Sequence, residues 1–206
     1  MEKKIFFDVG ANSGKDSIPI AKNDVNTIVF GFEPTPQLIG IIKNQISGLN
    51  NYILIEKAVS NYNGKSKFNV AGQADWGCSS LLEFSDKSKT EWCGRTDFRI
   101  TEEIEVDVIR LDNFIEEFKI KKIDYLHVDT QGSDLNVLKG LGDYLKIVNE
   151  GVIEAANKEN ILYFGQNTKE ECIYFLVKNN FKIINVEKND PHDNEINIYF
   201  KNNEKI

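Results

Sequence analysis

The chain has 206 residues, 41% of them apolar and 28% charged, with a formal net charge of −7. That length suits one ordinary domain over 1–206, and the composition suits a globular protein that can bury a full core without disulfides or structural metal. The acidic balance repels phosphate backbones and anionic bilayers, so neither nucleic acid nor a membrane is an expected partner; nor does any apolar run approach the roughly 20 residues that span a bilayer.

The first run, Lys4-Ile-Phe-Phe-Asp8-Val9, follows charged residues as a secretion signal would. Its apolar stretch stops after three residues, so it reads as a strand. A Gly-rich turn leads to a helix around residues 16–22. Thr27–Phe32 is the second strand, Pro36 suits the first turn of a second helix, and Tyr52–Lys57 is the third strand. After the turn Asn61-Tyr-Asn-Gly64, Lys65–Val70 reads as a strand outside the parallel set. Residues 71–101 lack periodicity, and a long irregular stretch in a compact domain is usually functional; a lid or substrate loop is expected there. Alternation resumes over Ile104–Ile109, followed by a helix over Leu111–Phe118 and a strand over Ile123–Val128. A helix then opens with Ser133 or Asp134 as its N-cap. Val148–Ala156 is another strand, Lys169–Asn179 an amphipathic helix, and Phe181–Val186 and Glu195–Phe200 a closing strand pair. Strands alternating with helices predict an α/β fold built on a parallel sheet. Cys78, Cys93 and Cys172 show no metal-ligand spacing and are odd in number. They are expected as free thiols in a reducing cytoplasm, with a Cys78–Cys93 bridge as the lesser possibility.

The sharpest local pattern is Asp8-Val9-Gly10-Ala11-Asn12-Ser13-Gly14, between a strand and a helix. Glycines there let the backbone turn tightly beneath a ligand, at the carboxyl edge of the sheet where α/β proteins bind. Glu33 ends the second strand at about the 20-residue distance at which an acid reaches ribose hydroxyls, and Pro34 stiffens its turn. Both features fit NAD or S-adenosylmethionine. The dinucleotide pattern needs glycine at positions 12 and 15, where this chain has Asn12 and Lys15. S-adenosylmethionine has no pyrophosphate to rest on that backbone, so it is the better match.

These stretches resemble the FkbM-type methyltransferase family. Asp8 to Gly14 is similar to its opening motif, Gly31-Phe-Glu-Pro-Thr-Pro36 to its second, and Ala58-Val59-Ser60-Asn61 with Gly64 to the turn after its third strand. Leu111-Asp112-Asn-Phe114, the run from Ile123 to Gly140, Val152-Ile-Glu154 and Asn180-Phe181 follow in the family's order, so the likeness runs from about residue 5 to residue 186. The resemblance implies a Rossmann-like class I methyltransferase fold: a mostly parallel seven-stranded sheet with an antiparallel last strand and helices on both faces. It also implies transfer of a methyl group from S-adenosylmethionine to a hydroxyl oxygen, with S-adenosylhomocysteine as product, on a small acceptor such as a sugar or glycan. The chain departs from the family at His127, where lysine is common, and at Asp134, where glutamate is frequent.

Asp8, Gly10, Asn12, Ser13, Gly14, Glu33, Pro34, Ala58 and Val59 are therefore the expected cofactor residues. A neutral alcohol must lose its proton as the new bond forms. Asp129, at the end of its strand, is the first candidate base; it could instead orient the acceptor or hold a divalent cation, which no motif indicates. His127 shares its side of the strand by period two, and Glu154 ends the next strand. Trp76, Ser79, Ser80 and Gln131 are expected to face the acceptor. An NAD-dependent oxidoreductase and a non-catalytic S-adenosylmethionine-binding protein remain the competing readings.

Overall fold

The structure, a computed structural model, describes residues 3–72, 75–92, 95, 98–159 and 161–205. Seven strands form the main sheet: β1 (Lys4–Val9), β2 (Thr27–Phe32), β3 (Tyr52–Ile55), β7 (Ile123–Val128), β8 (Val148–Ala156), β9 (Phe181–Lys188) and β10 (Glu195–Asn202). Their order is β3-β2-β1-β7-β8-β10-β9. Every pairing from β3 to β8 is parallel, and β10 alone runs against both its neighbours. This is the expected seven-stranded sheet with its last strand reversed. The order turns back on itself between β1 and β7, which opens a crevice at their carboxyl ends.

Period two decides which helices cover which face. On one face, Phe7 and Val9 of β1, Phe30 and Phe32 of β2 and Leu126 and Val128 of β7 pack with α3 (Leu111–Phe118), α4 (Asp134–Gly140) and α5 (Lys169–Lys178). Phe114 sits amid this layer, its ring 5.1 Å from Phe32 and 5.9 Å from Phe7. On the other face, Val29 and Tyr52 pack with α1 (Ile18–Asn23) and α2 (Pro36–Gln45) through Ile18, Ala21 and Ile42. Pro36 begins α2 at the first turn, where a missing N–H costs nothing.

The strand read over residues 65–70 lies outside the main sheet. It belongs to β5 (Gly64–Ala71), the edge of a three-stranded sheet ordered β4-β6-β5, with β4 (Ala58–Val59) and β6 (Ile100–Ile109). Phe68, Val70, Val106 and Val108 form its core, and Trp76 and Leu81 pack against it. Between β5 and β6, the described residues carry two short 3₁₀ turns, Trp76–Cys78 and Asp86–Lys89, and single bridges at Ser80 and Phe84. The hypothetical Cys78–Cys93 bridge lies outside the described residues, and Cys172 is a buried free thiol. Among the described residues, no helix is long and apolar enough to cross a membrane.

Candidate active site

The turn after β1 is built on left-handed backbone at alternate residues. Gly10 has φ 86°, Asn12 φ 53° and Gly14 φ 77°. Asparagine tolerates that region better than other side-chain-bearing residues, which explains Asn12 where another glycine would also fit. At Gly10 the constraint is steric as well, since a Cβ would lie 1.8 Å from the Asp129 carbonyl oxygen. The tight approach is what lets the Asp129 N–H donate to the Val9 carbonyl at 2.9 Å and join the two loops.

Glu33 ties this turn to the end of β2. Its Oε2 accepts from the Asn12 N–H at 2.8 Å, and its Oε1 accepts from the Thr35 N–H at 2.8 Å. Burial pushes the carboxyl up to about 7, although the Thr35 and Asn12 donors pull it down; the charge of Asp8 adds to the rise.

Beside it opens a cavity of about 530 Å³, its mouth included. Ten of the residues singled out from sequence line it: Gly10, Asn12, Glu33, Pro34, Ala58, Val59, Trp76, Ser79, Asp129 and Gln131. The other expected residues lie elsewhere. Asp8 points to the far side of β1, where its Oδ1 meets His127 Nδ1 at 2.7 Å and its Oδ2 is buried with no hydrogen-bond partner. Burial pulls His127 down, but the Asp8 carboxylate more than reverses this, and the ring's pKa rises above its ordinary value. His127 faces a second groove on that side of the sheet, with Tyr125 and Val152. Ser13 offers its carbonyl to Gln45 at 3.1 Å, and Gly14 abuts Ile18. The Ser80 hydroxyl donates to the Gln131 carbonyl at 2.7 Å, which ties the irregular segment across the loop after β7.

Asp129 heads a connected set of polar groups. The Gln131 amide donates to Asp129 Oδ1 at 2.7 Å and reaches Glu154 Oε2 at 3.4 Å; Asn189 donates to the other Glu154 oxygen. Burial raises the Asp129 carboxyl, while Gln131 and His127 hold it down. Asp134 does not cap α4 from in front. Its carboxylate reaches back to the N–H groups of Thr130 at 2.8 Å and Gly132 at 3.1 Å, which shapes the loop carrying Asp129. Sequence reasoning passed over Leu38, Lys57 and Phe68, which also line the cavity. The Phe68 signal was available: it sits on the apolar side of an alternating strand that faces back toward the motif loops. Among the described residues, no group of three or more His, Cys, Asp or Glu side chains could hold a metal ion.

These acids make stability depend on pH in a defined sense. Burial raises Glu33 to about 7, Asp134 to about 7 and Glu195 to about 8, and holds Glu154 well above the usual range. The folded chain therefore keeps protons that the unfolded chain releases near the ordinary carboxyl values. This contribution is full below those values and is lost as pH climbs through 7 to 8. One carboxyl raised to about 7 already loses about 3 kcal/mol between pH 5 and 8.5, so Tm should fall by at least about 6–12 °C over that range. Scanning calorimetry across that range checks it, and a Tm that stays level or rises contradicts it.

Comparison with known proteins places these observations in context. A family model described as methyltransferase FkbM domain matches residues 8–200. The 2-O-methyltransferase NoeI of Sinorhizobium fredii (strain NBRC 101917 / NGR234) is 27% identical over 168 residues, which are 79% of this chain and 66% of that relative. Among solved structures, M. capricolum TrmK in complex with S-adenosyl-homocysteine superposes with a TM-score of 0.54 at 12% identity, over 98% of this chain and 63% of that one. An rRNA methylase from Streptococcus thermophilus gives 0.53 at 12% identity, over 98% and 87%. At such identities the structural likeness speaks to the fold.

Proposed function

Since the chain belongs to the methyltransferase FkbM domain family, we propose that it moves a methyl group from S-adenosylmethionine to a hydroxyl of a small acceptor, a sugar or glycan, and works as one domain in a reducing cytoplasm. The observation that carries this reading is the junction of Glu33 with the Gly10–Gly14 turn at the wall of one cavity. Each Glu33 oxygen has one backbone donor and can accept a second bond, so the carboxylate fits a ribose diol. Leu38, Val59 and Phe68 give apolar walls that fit an adenine ring. The Asn12 side chain lies against Gly77, which disfavours a pyrophosphate on that stretch of backbone.

When bound, S-adenosylmethionine supplies a methyl group activated by a sulfonium. The protein's own work is positioning and proton removal. Asp129 takes the acceptor's hydroxyl proton as the new C–O bond forms, and Gln131 holds its carboxylate. Trp76, at the cavity wall, offers a face for a sugar ring, and residues 75–92 of the expected lid close over it. Oxygen as the accepting atom is supported by the Sinorhizobium relative, a 2-O-methyltransferase.

Calorimetry and labelled-methyl transfer test the reading together. S-adenosylhomocysteine should bind with measurable heat, NAD should not, and label should pass to a sugar hydroxyl in an acceptor screen. Heat with NAD and none with S-adenosylhomocysteine would reject it.

A further inference from the structure

Tyr163 lies in an irregular stretch that the motifs do not touch, yet its hydroxyl ends at the site. The side chain is 1% exposed and stacks on Phe84 with 5.1 Å between ring centroids. Its hydroxyl is 2.8 Å from Gln131 Oε1 and 2.8 Å from the Cys78 carbonyl oxygen. Both neighbours are acceptors, so the hydroxyl serves as donor, with its single proton shared between them. Burial raises its pKa well above the ordinary value and keeps the proton in place.

Gln131 is held in left-handed backbone at φ 56°, and its amide reaches Asp129 and Glu154 as described above. An amide can sit either way round. Reversed, it would set Oε1 against two carboxyl groups and Nε2 against the Tyr163 hydroxyl. A donor at the Tyr163 end selects the orientation that directs Nε2 toward Asp129.

We propose that Tyr163 is a positioning residue for Asp129: by donating to Gln131 Oε1, it aims the Gln131 amide N–H at the Asp129 carboxylate. The proposal rests on the reading of Asp129 as the base and extends it to a side chain 34 positions away (163 − 129). Other charges also bear on Asp129. His127 on β7 and Lys15 in the first loop favour its ionised form, and Asp8 on β1 opposes it. Asp134 on α4, Glu154 on β8 and Glu195 on β10 are raised by its charge and repel it in turn when ionised. Tyr163 acts on top of this fixed background through one neutral hydrogen bond.

The test requires no acceptor. Protein labelled with ¹³Cγ-aspartate is titrated by NMR, with the Asp129 signal assigned by its loss in Asp129→Asn. In Tyr163→Phe, which keeps the ring and its stacking, the Asp129 midpoint should rise by roughly half to one pH unit, the ordinary worth of one buried hydrogen bond. Gln131→Met should raise it at least as far. A purely structural role for Tyr163 would lower Tm and leave the midpoint in place. A Tyr163→Phe midpoint within about 0.2 unit of the parent overturns the proposal, whatever Gln131→Met does. If Tyr163→Phe fails to fold, 3-fluorotyrosine placed at position 163 keeps the ring and strengthens the donor; it should lower the Asp129 midpoint, and an unmoved midpoint overturns the proposal. The underlying reading fails separately: Asp129→Asn turning over at the parent rate would remove the base, whatever the titration shows.

Discussion

Glu33→Gln should weaken S-adenosylhomocysteine binding by about 100-fold or more, measured by calorimetry. A hydrogen bond to a charged group contributes about 1.5–3 kcal/mol, and a ribose diol makes two with one carboxylate; a loss of about 3 kcal/mol is already a factor near 100 in Kd. The variant also disturbs the site's frame. Glutamate gives one oxygen to the Asn12 N–H and one to the Thr35 N–H, whereas glutamine has a single oxygen and sets its NH₂ against one of those donors. A pH signature separates the two effects. Ribose hydroxyls donate best to the ionised carboxylate, and burial raises Glu33 to about 7. The parent's affinity should therefore fall as pH drops below 7, by up to about tenfold per unit, while the glutamine variant's affinity stays level. Parent-like affinity in the variant would remove Glu33 from the cofactor site.

The same carboxyl pulls stability and binding in opposite directions. Its proton favours the folded chain without ligand, because a buried charge is costly. Its ionised form favours the ligand. On the proposed reading, the pocket beside Glu33 holds a charge that the fold carries at a cost until ribose hydroxyls share it, as expected where a site departs from what stability alone would select.

The parts of this site that local chemistry dictates were legible from sequence. Gly10, Asn12 and Gly14 advertise a backbone that ordinary residues avoid, and all three show positive φ. Glu33 follows a strand whose length fixes where its carboxylate emerges, and Asp129 is placed by the same logic at the end of β7. The sheet faces were not read from the sequence: strand alternation sets them, with Phe7 and Phe30 in one core and Val29 in another. What escaped depends on contacts distant in sequence. The β4 strand has only two residues and exists because Ala58 and Val59 pair with Val108 and Ile109. Residues 75–92 owe their course to Ser80 on Gln131, to Phe84 on Tyr163, and to Trp92 in a cluster with Ile161 and Leu162. None of these has a periodicity to read. Asp8 shows the limit of motif logic: its place in the loop pattern suggested a ligand contact, but strand alternation turns it toward His127.

Asp129→Asn is the sharper test of chemistry, because little else should change. The backbone at 129 is pinned by the Val9 carbonyl and by its close approach to Gly10, and asparagine has nearly the same shape. An amide cannot accept the acceptor's proton as a carboxylate does, so kcat should fall by about 10²- to 10⁴-fold, the usual worth of a positioned base. The Kd for S-adenosylhomocysteine should change by no more than about threefold, since Glu33 and the first loop are untouched; a larger change would mean that the substitution altered the cavity instead. The pH profile gives a second reading. Burial raises the Asp129 carboxyl, so the parent's rate should fall as pH drops through a value above the ordinary carboxyl range, and the asparagine variant should lose that limb. Survival of both the rate and the limb in the variant would assign the proton to another group, with methyl transfer then resting on the positioning of its two reactants alone.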